Sequence, residues 1–212
     1  MTQNPPDRTQ NPDPRVPLEE SVPGAPSVDL ERVRTRDPDA LAALFDTYFD
    51  RLYAVVYRML GNRSEAEDAI QEVFLKVHRG APSLDPARDP LPWLVTIAAN
   101  VSRDRWRSGS SRLDRASTSF DSNPGLRETL SSPDGGGSNP ERDLLARERA
   151  ERVREALGKL KPESREVIVL REYEGLGYGR IAEILGVNEA AVRKRFSRAL
   201  DELGRHVNEA EL

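Results

Sequence analysis

Four cations crowd the stretch ILGVNEAAVRKRFSRALDEL, residues 184–203, where Arg193, Lys194, Arg195 and Arg198 lie within six consecutive positions. A guanidinium fork matches the acceptor pair of guanine, and either Arg or Lys neutralises phosphate, so the segment carries the side chains that grip duplex DNA. It does so in a chain whose formal net charge is −4. A charge run is ordinarily a solvated helix face, and that reading stands beside the nucleic-acid one. Local charge matters more than net charge, because screening at physiological salt limits its reach to about 8 Å. Between Glu189 and Leu200 four positive side chains face one negative. A second group, Arg103, Arg105, Trp106 and Arg107, interleaves an indole with guanidinium groups. That mixture suits single-stranded DNA, whose bases stack on an aromatic face without regard to sequence. Trp106 is equally suited to cap its helix as a partly buried side chain.

Helices must position both groups. Leu41, Leu44, Phe45, Tyr48, Leu52, Val55, Val56 and Met59 recur at helical spacing after Asp37-Pro38, an N-cap and first-turn proline, and Gly61 stops the run. Ser64-x-x-Glu67 reads as a capping box for a second helix, which turns Ala66, Ala69, Ile70, Val73, Phe74 and Val77 inward. Its polar face carries Glu65, Asp68, Gln71, Glu72 and Lys76. A third helix, from about Pro92, buries Trp93, Leu94, Ile97 and Val101 and ends in the cations and indole of 103–107. Beyond residue 142, Leu144, Leu145, Val153 and Leu157 stripe one helix, Pro162 opens another with Val167, Ile168 and Leu170 as core, and Gly175 stops it. Residues 178–185, a turn at Gly186, a cap at Asn188 and a longer helix from Glu189 to about Arg205 then follow the helix-turn-helix pattern. Ile181, Leu185, Val187, Val192, Leu200 and Leu203 are available as its core.

Composition narrows the rest. The 212 residues are 37% hydrophobic and 32% charged, enough for two small cores with polar sequence left over. The fold expected is all-α, two small helical domains joined by a linker. Residues 1–28 hold seven prolines and no apolar run, and are read as a disordered extension. Ser, Gly and Pro make up 17 of the 35 residues from 108 to 142, which are read as a flexible linker able to reach about 120 Å if fully stretched. The units are then 29–107 and 143–207, with a tail at 208–212. With no cysteine there are no disulfides, thiolate nucleophiles or cysteine metal sites, which fits a reducing compartment, the cytosol by default. No apolar stretch approaches the length of a membrane span. His78 and His206 stand alone near helix ends and read as structural. No hydrolase, nucleotide-binding or metalloprotease motif occurs, so no cofactor, metal or catalytic residue is expected.

Three segments in order resemble a known family, the bacterial sigma factors of the sigma-70 family in their small two-domain extracytoplasmic-function (ECF) group. LFDTYFDRLYAVVYRMLGNRSEAEDAIQEVFLKVHR is similar to the start of sigma region 2, PLPWLVTIAANVSRDRWRS to its promoter-melting part, and LKPESREVIVLREYEGLGYGRIAEILGVNEAAVRKRFSRALDEL to region 4. The resemblance implies a non-enzymatic factor that binds core RNA polymerase and promoter DNA and is held by an anti-sigma partner. It places polymerase contacts on Asp68, Gln71 and Glu72. It places capture of a flipped base of the minus-ten strand on Asn100 and the loop Ser83 to Leu91, where an amide donates and accepts along a base edge. Minus-thirty-five contacts fall on Arg193, Lys194, Ser197 and Arg198, with Arg195 on phosphate or structure. Departures are Gly177, Gly179 and Arg180 at the start of the motif's first helix, and Ala190-Ala191 where Gly-Thr is usual. The alternative is a helix-turn-helix regulator that works without polymerase, and a third reading is a helical interaction protein with solvated cations.

Overall fold

The computed structural model describes residues 28–109 and 140–209. The expected extension and most of the expected linker therefore lie outside the described residues. Every regular element among those described is helical.

A short helix not anticipated from sequence, α1 (Leu30–Arg34), is capped by Asp29, whose side chain accepts from the Arg32 N–H. The chain then turns through Arg36 at φ 59°, a left-handed conformation rare for a residue with a side chain. The Arg36 guanidinium donates at 3.2 Å to the carbonyls of His78 and Arg79, the negative end of a later helix, and so anchors the turn. Asp37 caps α2 (Pro38–Leu60), and Gly61 at φ 75° ends it with its N–H on the Tyr57 carbonyl. The next helix, α3 (Arg63–Gly80), is capped by Asn62, whose Oδ1 accepts from the Glu65 N–H. This corrects the capping box read at Ser64. Asn62 follows the left-handed Gly61 in an extended conformation and reaches the first turn itself, and Glu67 pairs with Arg63 instead. A 3-10 turn (Ala81–Ser83) and a proline-rich loop lead to α4 (Leu91–Gly109). Helices α2, α3 and α4 pack together, with Phe45 and Phe74 in ring contact at 4.3 Å.

The second unit opens with α5 (Pro140–Lys159) and α6 (Pro162–Ile168), and α6 runs on as a π-helical turn (Val169–Tyr173). Then come α7 (Tyr178–Leu185) and α8 (Glu189–Glu209), with Asn188 accepting from the Ala191 N–H as cap. Val192, Phe196 and Ala199 turn inward from α8. Val187 and Leu200, expected in the core, are 36% and 41% exposed, and Leu144 is 57% exposed. Apolar spacing alone marked those positions, and the neighbouring helices cover a narrower stripe than it allows.

Gly186 sits at φ 66° with open space where a Cβ would stand. Gly204, inside α8, also has open space but no unusual φ. Gly186→Ala is therefore expected to destabilise by roughly 1 kcal/mol through backbone strain alone. Gly204→Ala should stabilise by roughly 0.5–1 kcal/mol. Urea midpoints moving in the same direction would refute the assignment.

Two separate cores were expected. The buried apolar side chains of both units instead form one connected cluster. Helix α2 packs against α6 and the π-helical turn, and α4 against α7. Arg51 Nε meets Glu174 Oε2 at 3.1 Å, and the Arg58 guanidinium lies 4.2 Å over the ring of Tyr173.

Candidate nucleic-acid interface

Helix α8 has two faces. Because Val192, Phe196 and Ala199 are buried, positions 193, 194, 197 and 198 are turned outward, and Arg193, Lys194, Ser197 and Arg198 are all exposed. Arg195 lies on the flank, half-buried, and its charge is felt by Glu166. Arg193 is held in place before any ligand arrives. Its Nε donates to Glu189 Oε1 at 3.1 Å, its Nη2 donates to the same oxygen, and its guanidinium lies 4.5 Å over the ring of Tyr178. Arg171 stacks on the same ring at 4.5 Å. Sequence reasoning passed over both holders of Arg193, although Glu189 at four residues' spacing was a legible signal. Tyr178 was not, since it belongs to the preceding helix.

The α4 group is less free than its composition suggests. Asn100 is half-buried, and its Oδ1 accepts from Arg103 Nη1 at 3.1 Å. Arg103 also donates to Glu166 Oε1 at 2.6 Å and to the Ile184 carbonyl at 3.2 Å, both in the second unit. Arg105 turns toward α3, with Nη2 at 3.4 Å from Glu72 Oε2 and Nη1 at 4.0 Å from Asp68 Oδ2. Its Nε is buried with no hydrogen-bond partner. Trp106 is half-buried and packs against the core, while Arg107 is exposed. In the loop from Ser83 to Leu91, Asp85 and Asp89 accept from the backbone N–H groups of Ala87 and Leu91, and Leu84 and Pro90 are buried. These turns hold the loop beside the first turn of α4.

On α3, Asp68 and Gln71 are exposed and Glu72 is half-buried, pairing with Lys76 at 3.3 Å as well as with Arg105. Leu75, next to Glu72 and one turn on from Gln71, is 57% exposed. An apolar centre with a polar rim is the composition of a protein interface, and Leu75 belonged to neither the inward stripe nor the polar face read from the sequence.

Two carboxyls are deeply buried where the units meet. Burial pushes the pKa of Glu166 up against the opposing pull of Arg103, and that of Glu174 up against Arg51. Among the described residues no cluster of His, Asp or Glu is arranged to hold a metal ion. No described helix is long and apolar enough to cross a membrane.

Comparison with known proteins matches two family descriptions: Sigma-70 region 2 over residues 44–112, and Sigma-70, region 4 over residues 150–203. The chain is 34% identical over 167 residues to the ECF RNA polymerase sigma factor SigK of Mycobacterium sp. (strain KMS), spanning 78% of this chain and 82% of that one. It is 31% identical over 182 residues to the ECF RNA polymerase sigma factor SigW of Bacillus subtilis (strain 168), spanning 85% and 95%. Its fold is similar to that of the sigma factor RpoE of Bartonella quintana, solved in complex with the anti-sigma factor NepR. The TM-score is 0.57 at 21% identity, over 79% of this chain and 96% of that one.

Proposed function

Because the chain belongs to the sigma-70 family, in its ECF group, we propose that it joins core RNA polymerase in the cytoplasm and carries it to promoters, reading duplex DNA with α8 and the opened strand with α4. The observation that carries this reading is the pairing, in one chain, of a region 2 helical unit with a region 4 helix-turn-helix that turns Arg193, Lys194 and Arg198 outward. A duplex-binding regulator would need only the second.

Residues 29–107 act as the polymerase-binding and strand-opening unit, and residues 143–207 as the upstream reader. On α3, Asp68, Gln71 and Glu72 meet the polymerase, with Leu75 at the centre of that patch. Asn100 and the loop from Ser83 to Leu91 read a flipped base, while Arg103, Arg105 and Arg107 hold the strand and Trp106 offers its indole face for stacking. Arg193, Lys194, Ser197 and Arg198 read the minus-thirty-five element, and Arg195 steadies phosphate or structure. The factor catalyses no covalent step, since RNA synthesis belongs to the polymerase. Its regulator is an anti-sigma protein.

Adding the purified chain to sigma-free core polymerase and mapping transcription starts genome-wide should yield starts at a defined promoter class, and a pattern equal to that of core alone would refute the reading. At such a promoter, Arg198→Ala should cost roughly 1–3 kcal/mol of binding to the upstream element. An equal loss on scrambled duplex would show a phosphate contact only.

A further inference from the structure

We propose that Tyr178 and Glu189 are positioning residues that set sequence specificity at the upstream element, clamping Arg193 so that one edge of its guanidinium is offered to the bases in one direction. The inference rests on the reading of α8 as the upstream reader, but the clamp itself stands without DNA.

The clamp is built on the start of α7. Tyr178 is the first residue of that helix, and its half-buried ring meets the buried ring of Phe196 edge-on at 5.8 Å. Arg171, whose Nη1 donates to the Leu176 carbonyl at 3.1 Å, also lies over the Tyr178 ring at 4.5 Å. The ring is thus fixed both from α8 and from the turn before α7. Arg193 lies 4.5 Å over it, and Glu189, one turn earlier on α8, accepts from Arg193 Nε at 3.1 Å and from Nη2 with the same oxygen. The other oxygen, Oε2, sits beside Gly179, 3.6 Å from where a Cβ would stand, at a helix start with no side-chain cap. The positive end of α7 steadies a carboxylate there. Two departures from the family pattern fall at this point: Gly177 supplies no competing cap, and Gly179 puts no side chain beside the carboxylate.

Glu189 is an anion in the first turn of a helix that approaches a polyanion, and that placement needs a reason. A helix that only gripped phosphate would bind better without it. A guanidinium carries five donors in a planar fork, and Glu189 takes the Nε donor and one from Nη2. Nη1 and the second hydrogen of Nη2 have no partner among the described residues, and they form the end-on fork that matches guanine O6 and N7. Paired with a carboxylate, the cation attracts a phosphate only weakly, yet it keeps its fork for an acceptor pair lying straight ahead. Ordering a long side chain at binding costs entropy, and stacking on Tyr178 removes that cost for the held direction alone. Base reading is thereby favoured over phosphate contact. Lys194, exposed and without a hydrogen bond or ion pair to other described residues, keeps its full charge for the backbone.

Holoenzyme assembled from core polymerase and the full chain is titrated on a mapped promoter and on the same promoter with its upstream element scrambled. The ratio of the two affinities should fall about fivefold for Tyr178→Leu and stay within about twofold of the parent for Tyr178→Phe, which keeps the ring. The Arg193–Glu189 pair is 60% and 47% exposed, so the fold tolerates Glu189→Gln even if Tyr178→Leu unfolds. Glu189→Gln should lower the ratio while raising affinity for the scrambled promoter about threefold, because an anion has left the DNA face. With Arg193→Ala in place, neither substitution should move the ratio by more than about twofold, since both act through that side chain. In the free chain, proton spectra should show the Arg193 δ-methylene shifted upfield by the ring in the parent and in Tyr178→Phe, and unshifted in Tyr178→Leu. Absence of that shift from the parent would overturn the clamp. A ratio unmoved by Tyr178→Leu and Glu189→Gln, or moved equally with Arg193→Ala in place, would overturn its role in specificity. A parent holoenzyme indifferent to scrambling would refute the upstream reading of α8 and the specificity role with it, leaving a clamp whose upfield shift needs no DNA.

Discussion

Arg165→Met is expected to lower the unfolding free energy by roughly 3 kcal/mol, the scale for removing one partner of a buried charged network. Arg165 is 5% exposed and donates to four main-chain carbonyls: Leu157 at 2.9 Å, Gly158 at 2.7 Å, Leu160 at 3.3 Å and Met59 at 3.0 Å. Those carbonyls lie at the buried C-terminal ends of two helices. Leu157 and Gly158 lie in the last turn of α5, Leu160 follows it, and Met59 lies in the last turn of α2. The final carbonyls of a helix have no partner within it and carry the negative end of its dipole, so a planar cation with five donors satisfies them together. Burial pulls the pKa of Arg165 down to about 10, which still leaves it charged at neutral pH. Methionine fills similar volume without donors and strands three of the four acceptors, the Leu157 carbonyl keeping the Leu160 N–H at 3.2 Å. For a chain of this size the melting temperature should fall by roughly 6–12 °C. Arg165→Lys, whose ammonium reaches fewer carbonyls, should recover part of the loss. A fall below 1 kcal/mol for the methionine variant would show that water reaches these carbonyls without the guanidinium.

The largest functional effect is expected at α3, the helix proposed to meet the polymerase. Gln71→Ala with Glu72→Lys should weaken binding to core polymerase by at least roughly 2 kcal/mol, about thirtyfold, the scale of an interface hot spot. The pair sits on the outer face of α3, whose inner face is locked into the core by Ala69, Ile70, Val73 and Val77. The fold should tolerate the change, because the pairs Glu72 makes with Lys76 and Arg105 are partly exposed and worth at most about 1 kcal/mol each. Equal melting temperatures for variant and parent, measured alongside affinity, separate lost contact from lost structure. Leu75→Ser should weaken binding further without touching charge. Unchanged affinity in the double variant would mean that this face of α3 does not meet the polymerase.

Local order was legible in the sequence wherever one helical turn decides it. Asp37-Pro38, Gly61, Pro162, Gly175, Gly186 and Asn188 all mark ends that the structure realises, because capping and left-handed turns depend on residues three or four apart. The same range explains the outward row of Arg193, Lys194 and Arg198: apolar Val192, Phe196 and Ala199 set the phase of α8, and the cations follow from it. The cap of α3 was misplaced by two residues because Asn62 and Ser64 are both competent caps, and only the left-handed turn at Gly61 favours the first.

Other features depend on residues far apart in the chain. Arg103 read as a DNA contact, yet its carboxylate partner lies 63 residues further on. Nothing local to the sequence singles out Arg165, since one of its acceptors is 106 residues away. Nor did composition show that two small units would share one core. By itself, then, the sequence determined all the helices but α1, most of their ends, the outward charge of α8 and the family resemblance, since these follow from periodicity and short motifs. Tertiary structure alone decided which cations are free and which are spent, because desolvation and pairing are set by which surfaces meet.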